Sequence, residues 1–210
     1  MGNFISDNNI CVKTQGIAFF DFDGTLTSKD TFFEFGIFTK GKKKLLLSLL
    51  KKSPLILFSL FNLYDRGKAK EALFKSLYKG MDYNDFKKNG ESFSKKIDSM
   101  LNENIYSMAK ELKNKGVKLY IVTASISEWV KPWAESHGFE GVIGTEIEIE
   151  EGSRHKFLTG NFSTPNCNNK EKKIRIKELF PDLYNYEVWA FGNSKGDREM
   201  LSLAHHPLMV

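Results

Sequence analysis

The chain holds only two cysteines, Cys11 and Cys167, too few for a disulfide framework or a cysteine-rich zinc site. A reducing compartment is therefore expected, and the reading is cytoplasmic. Proline is equally sparse, at 5 residues, and neither internal repeats nor low-complexity segments occur, which excludes collagen-like and wholly disordered chains. No basic, apolar and small-residue succession of the secretory type opens the chain, so no secretion is expected. Nor does any apolar run approach the ~20 residues that a spanning helix requires.

What is present is ordinary globular material: 210 residues, 41% hydrophobic and 27% charged. That suits one sizeable core with a smaller accessory unit. The net charge of +5 is unevenly placed. Residues 31–108 carry 15 Lys+Arg against 8 Asp+Glu, whereas the remainder carries 16 against 18. One segment thus holds all the positive excess, which suits an anionic partner or, more blandly, a set of solvated helical faces. Met1 to Gly16 is polar and reads as a short arm.

Three short apolar runs predict buried strands: Ile17–Phe22, Val117–Thr123 and Glu187–Phe191. Helical spacing marks Arg66–Tyr78, Tyr83–Met100, Asn104–Lys115, Ser127–His137, Lys170–Phe180 and Arg198–Ala204. Thr145–Glu150 alternates and His155–Phe162 returns through Gly152, predicting a hairpin. Strands alternating with helices mean a parallel α/β sheet. The Lys-rich helical block interrupts that pattern directly after the first strand. The expected division is a core of residues 1–30 and 109–210 with an inserted helical cap at 31–108.

Open α/β sheets bind ligands at the carboxyl ends of their strands, and three strand ends carry polar clusters. Asp21 and Asp23 stand at i and i+2 before Gly24, a spacing that on an extended chain turns both carboxylates to one side. Such close acids repel unless a cation or a proton intervenes; a simple Asx turn is the alternative. Thr123-Ala124-Ser125 offers hydroxyls and backbone N–H groups for an anion, or merely a helix N-cap. Asn193 and Asp197, within Gly192–Asp197, are hard oxygen donors of the kind magnesium prefers, or again a turn. Lys170, Lys172 and Lys173 open a helix, where one could point inward.

The ordered set DFDGTLT, IVTAS, a lysine and GNSKGD resembles the haloacid dehalogenase (HAD) superfamily over Ile17–Val210. TASISEWVKPWAESHGF, LTGNF, PNCNNKEKK and FGNSKGDREMLSLA resemble its IB branch, which contains phosphoserine phosphatase and phosphatidylglycerophosphatase C. The resemblance implies a HAD-type Rossmann-like fold and a magnesium-dependent phosphatase. Asp21 would be the nucleophile, forming an aspartyl phosphate, and Asp23 the general acid and base. Gly24, Thr123, Ala124 and Ser125 would bind phosphate. Matching the residues after Cys167 to the family pattern selects Lys172 as the charge-neutralising lysine. Asp21, Asp23, Asn193 and Asp197 would hold Mg2+. One departure stands out: Asn193 replaces an aspartate common in the family, removing a charge from the metal site.

Leu45–Leu50 and Leu55–Leu63 are dense apolar runs separated by Lys51-Lys52-Ser53-Pro54. They read either as a buried helical hairpin or as a wedge for an anionic membrane surface, flanked by Lys42–Lys44. The second suits a phospholipid-type substrate such as phosphatidylglycerophosphate. A small soluble monoester such as phosphoserine, or a catalytically weak phosphate- or membrane-binding protein, remains the alternative. No nucleic-acid partner is expected.

Overall fold

The computed structural model describes residues 15–60, 65–153 and 155–210. Cys11 and all but the end of the expected arm lie outside them. β1 (Gln15–Phe20) is buried on both faces from Ile17 to Phe20, as the middle strand of a parallel sheet must be. It lies between β2 (Lys118–Ile126) and β6 (Tyr186–Gly192). β3 (Gly141–Thr145) extends the sheet beyond β2, and β7 (His206–Met209) beyond β6. All these pairings are parallel. The strands are connected through α4 (Glu103–Asn114), α5 (Ser127–Ser136), α6 (Lys170–Leu179) and the short α7 (Arg198–Leu201).

Some boundaries differ from those expected. β1 stops before Asp21, because the chain turns at Gly24 with φ 85°. β2 instead runs on past Thr123 to Ile126, with an irregularity in its pairing to β3 over that stretch. The helix predicted to reach Met100 ends at Ser94, where Gly90 and Ser residues weaken it, and a 3-10 turn follows at Ile97–Met100. β7 had no sequence signal: its side chains are exposed and Pro207 interrupts it. An edge strand tolerates that proline.

Between β1 and β2 the chain forms α1 (Thr31–Leu60), α2 (Arg66–Tyr78) and α3 (Tyr83–Ser94). Asp65 and Asp82 cap α2 and α3, each side chain accepting from backbone N–H groups of the first turn. Phe35 of α1 stacks on Trp129 of α5 at 4.3 Å between ring centres, and Phe86 and Phe93 close on Phe35 edge-on. One apolar cluster thereby runs from Phe20 and Ile121 in the sheet to Phe74 and Phe86 in the insert. β4 (Ile147–Glu151) and β5 (Lys156–Phe162) form the expected antiparallel hairpin. Although its sequence lies within 109–210, it bonds to the turn after α2, through Gly80 N to Leu158 O and Leu158 N to Met81 O.

The proposed buried hairpin of 45–50 and 55–63 is not what forms. Both runs, as far as Leu60, lie in α1, which kinks at Gly41 (φ 79°, ψ 156°) and carries Pro54 within its length. Residues 61–63 fall outside the described residues. Leu46, Leu47 and Leu50 are each more than half exposed.

Candidate active site

Asp21 follows β1 directly, its N–H donating to Phe191 O of β6 at 2.9 Å. Its Oδ1 accepts from Lys172 Nζ at 2.6 Å and its Oδ2 from Thr25 Oγ1 at 3.0 Å. Lys172, in the first turn of α6, is only 1% exposed and also donates to Asp197 Oδ1 at 2.7 Å. Burial pushes the Asp21 carboxyl up to about 6 despite the nearby ammonium. For Lys172, burial opposes the charge, but the two carboxylates outweigh it and hold the pKa above its ordinary value. Lys170 is exposed, and Lys173 turns to Glu199 at 3.0 Å and to Ser202. Of the three candidate lysines, geometry brings Lys172 to the carboxylates.

Asp23 does not share Asp21's surroundings. Its Oδ1 accepts from both the N–H and the hydroxyl of Thr31, at 2.8 and 2.6 Å, and its Oδ2 meets the Ser125 hydroxyl. The expectation that both side chains face one way assumed a continuing strand; the turn at Gly24 separates them instead. Burial is the main cause that raises the Asp23 pKa, and the negative charge of Asp30 adds to it. Lys70 and the two hydroxyls oppose the rise without cancelling it.

The second cluster is not a helix cap. α5 begins at Ser127 without a side-chain cap, and Thr123 and Ser125 are fully buried. Thr123 Oγ1 accepts from Ser125 N at 2.9 Å, while Ala124 O receives Lys70 Nζ and Thr145 Oγ1, each at 3.0 Å. Ser125 therefore serves Asp23 rather than standing free for an anion. In the third cluster, Asp197 Oδ2 accepts from Asn193 N, Ser194 N and Ser194 Oγ between 2.9 and 3.1 Å. Burial opposes its ionisation, but Lys172 and Ser194 prevail and hold its pKa low. The Asn193 side chain lies against the Asp21–Gly24 turn: a Cβ on Gly24 would sit 2.0 Å from Asn193 Nδ2. Three strand ends thus converge on one buried polar cluster.

The haloacid dehalogenase-like hydrolase family matches residues 18–202. The chain belongs to that family. It is a hydrolase, with a mostly parallel, Rossmann-like α/β sheet. Among relatives, protein CicA of Caulobacter vibrioides is 33% identical over 187 residues, covering 88% of this chain and 81% of its own. A Bordetella pertussis protein of unknown function has the same fold, with a TM-score of 0.76 at 19% identity, covering 93% of this chain and 90% of its own. A phosphoserine phosphatase solved as a phospho-aspartyl intermediate analogue gives 0.67 at 18%, covering 94% and 87%.

In this HAD hydrolase, several site residues escaped the sequence reading. Thr31 anchors Asp23 and itself accepts from Trp129 Nε1 at 3.1 Å. Thr25 holds Asp21. Lys70 reaches in from α2, its ammonium 4.8 Å from the centre of the Phe32 ring. Thr25 stood within the quoted DFDGTLT motif and was legible there. Thr31 and Lys70 had no local signal. Cys167 is buried, and burial pushes its thiol up to about 11, so it stays protonated and inert as a nucleophile. A cleft of about 1000 Å³ is lined in part by Asp65, Arg66, Lys68, Glu71, Asn168 and Lys195, and not by Asp21, Asp23 or Asp197 themselves.

Proposed function

We propose that the protein is a magnesium-dependent phosphatase acting on a phosphate monoester through an aspartyl-phosphate intermediate. The observation that carries this is the separation of two carboxylates two residues apart into different environments. Asp21 sits against a buried ammonium and is mostly ionised at pH 7, as a nucleophile must be. Asp23 is held apart with its pKa raised, as a general acid must be. An Asp21 oxygen attacks phosphorus as the bond to the leaving oxygen breaks, and Asp23 gives that oxygen a proton. Water then attacks phosphorus, Asp23 takes its proton, and the bond to Asp21 breaks. Ser125 and Thr31 fix the Asp23 carboxyl, since a hydroxyl can accept from its protonated form as well as donate to its ionised form. Thr123 and the backbone from Gly24 and Ala124 would hold phosphoryl oxygens, while Lys172 balances their charge.

The residues present fit a magnesium ion. Asp21, the Asp23 carbonyl and the Asn193 amide are all oxygen donors, and Gly24 lets the Asn193 amide approach the turn. Among the described residues no cluster of three His, Cys, Asp or Glu side chains could hold a metal, so the Asp23 carbonyl and the Asn193 amide would have to complete the set. Asp197, occupied by four hydrogen bonds, would act through a bound water. When bound, magnesium would lessen the repulsion between phosphate and carboxylate and polarise the phosphoryl group.

For the substrate, our reading is a phospholipid-type monoester such as phosphatidylglycerophosphate. Residues 31–108, with the 147–162 hairpin, form the cap that selects it, and the enzyme is cytoplasmic, peripheral on the inner membrane face. The exposed leucines of α1 support this. A small soluble monoester of the phosphoserine kind is the second reading, favoured by the open polar cleft that Arg66, Lys68 and Lys195 line together with Asp65 and Glu71. A phosphate panel with and without Mg2+ tests both: an aryl phosphate, phosphoserine, and phosphatidylglycerophosphate in mixed micelles. No metal-dependent turnover of any of them would leave only a phosphate- or membrane-binding protein.

A further inference from the structure

α1 buries one side and leaves an unusually apolar side in water. At ~100° per residue, Leu46, Leu47, Leu50, Leu57 and Phe58 fall within an arc of about 120°. They are 58, 58, 61, 53 and 52% exposed. On the other side, Leu45 and Ser48 are 5% and 7% exposed, packed against the protein. A helix apolar on both sides needs two apolar neighbours, and the described residues supply one. Single exposed leucines are unremarkable, but five on one face form a contiguous patch that calls for an occupant.

The charge around the patch identifies that occupant. From Phe35 to Tyr64 the sequence contains six lysines and no Asp or Glu. Lys42, Lys43, Lys44 and Lys51 are exposed beside the leucines. A second copy of the chain would set the same lysines against these. An anionic bilayer takes the side chains into its headgroup region and neutralises the lysines together. Among the described residues no helix is long and apolar enough to cross a membrane, so the geometry is that of a helix lying on the surface.

We infer that the Leu46–Phe58 face of α1 is an interfacial element that seats the protein on an anionic lipid surface. It deepens the lipid-substrate reading, yet it rests on exposure and charge alone and would stand if the phosphatase chemistry failed. Thr31, which holds Asp23, lies ahead of the Gly41 kink of α1, and the leucine face lies beyond it.

The test is co-sedimentation of the full chain with vesicles of phosphatidylglycerol and phosphatidylcholine, and of phosphatidylcholine alone. Aryl phosphate turnover is measured in parallel. Binding to the anionic vesicles at low salt, weakened at 0.5 M salt, is expected. Changing Leu46, Leu50 and Leu57 to Gln should abolish it with aryl phosphate turnover unchanged. Changing Lys42, Lys43, Lys44 and Lys51 to Gln should weaken it several hundredfold, at about fivefold per lysine. Absent binding by the unmodified protein, undiminished binding by the leucine variant, or self-association that the leucine variant removes without any vesicle binding would each overturn the inference. Vesicle binding without turnover of any phosphate would sink the phosphatase reading instead.

Discussion

Lys172→Met is the change that most directly interrogates the buried cluster. Methionine keeps the length and apolar stem of the side chain, so packing is largely preserved, and the loss is that of one ammonium. That ammonium lies 2.6 Å from Asp21 and 2.7 Å from Asp197, with only 1% exposure. Removing one partner of a buried ion pair costs about 3–5 kcal/mol. Here two carboxylates are left, so the upper end, about 5 kcal/mol, is expected at pH 7, against a total stability of roughly 5–15 kcal/mol.

The deficit must depend on pH in a definite direction. In the native protein Asp21 has a folded pKa of about 6 against an ordinary 3.8, so the folded state binds the extra proton between those values. Its contribution is full below about 4, falls as pH rises to about 6, and is then gone. Without Lys172 the Asp21 carboxyl rises further and the Asp197 carboxyl rises from its depressed value, so the loss continues above neutrality. Urea denaturation of the two proteins at pH 5 and pH 8 should therefore show a small gap at pH 5 and a large one at pH 8. Adding Asp197→Asn should recover at least about 2 kcal/mol at pH 8, since one of the stranded charges disappears. A gap below 1 kcal/mol at pH 7, or an equal gap at both pH values, would refute the account of Lys172 as the counter-charge.

Three further outcomes are expected. Asp21→Asn should leave the fold intact and abolish phosphate turnover; more than a few per cent of native activity, in preparations free of contaminating phosphatase, would reject Asp21 as the nucleophile. Asn193→Asp should lower thermal stability without metal, by adding a carboxylate beside Asp21, and should tighten magnesium binding in a calorimetric titration; weaker binding by the folded variant would remove Asn193 from the ligand set. Glu128 is driven up to about 7 from an ordinary 4.5, chiefly by burial, and its Oε2 has no hydrogen-bond partner among the described residues. Its neutral form stabilises the fold fully below about 4.5 and progressively less as pH rises to 7, so Glu128→Gln should change little at pH 4.5 and stabilise by about 3 kcal/mol at pH 8; equal effects at both would contradict the assignment.

The sheet was legible because a central parallel strand must be apolar on both faces, and Ile17–Phe20, Ile121-Val122 and Val188–Phe191 could read as little else. The site's main-chain frame was legible for a related reason: polar residues placed immediately after such runs have few structural excuses. β7 was invisible because edge pairing asks nothing of its side chains. The apolar stretches of α1 misled in the opposite way. Composition shows that Leu46 and Leu50 are hydrophobic, but burial depends on what lies opposite, and one periodicity serves a buried hairpin and an exposed face alike.

Asp23 illustrates where local reading ends. The i and i+2 spacing singled out two carboxylates, yet their different surroundings come from partners that no local pattern marks. Lys172 and Asp197 act on Asp21; Thr31, Ser125, Asp30 and Lys70 act on Asp23. Ser125 reaches Asp23 only because β2 continues past Thr123, and Thr31 reaches it only because α1 starts against α5, with Trp129 donating to its hydroxyl. The helical insert therefore helps to set the protonation of Asp23 through Thr31 and Lys70, with Asp30 just ahead of it. A change in how the insert packs on the sheet would reach Asp23 before it reached Asp21, whose partners Thr25, Lys172 and Asp197 lie outside the α1–α3 helices.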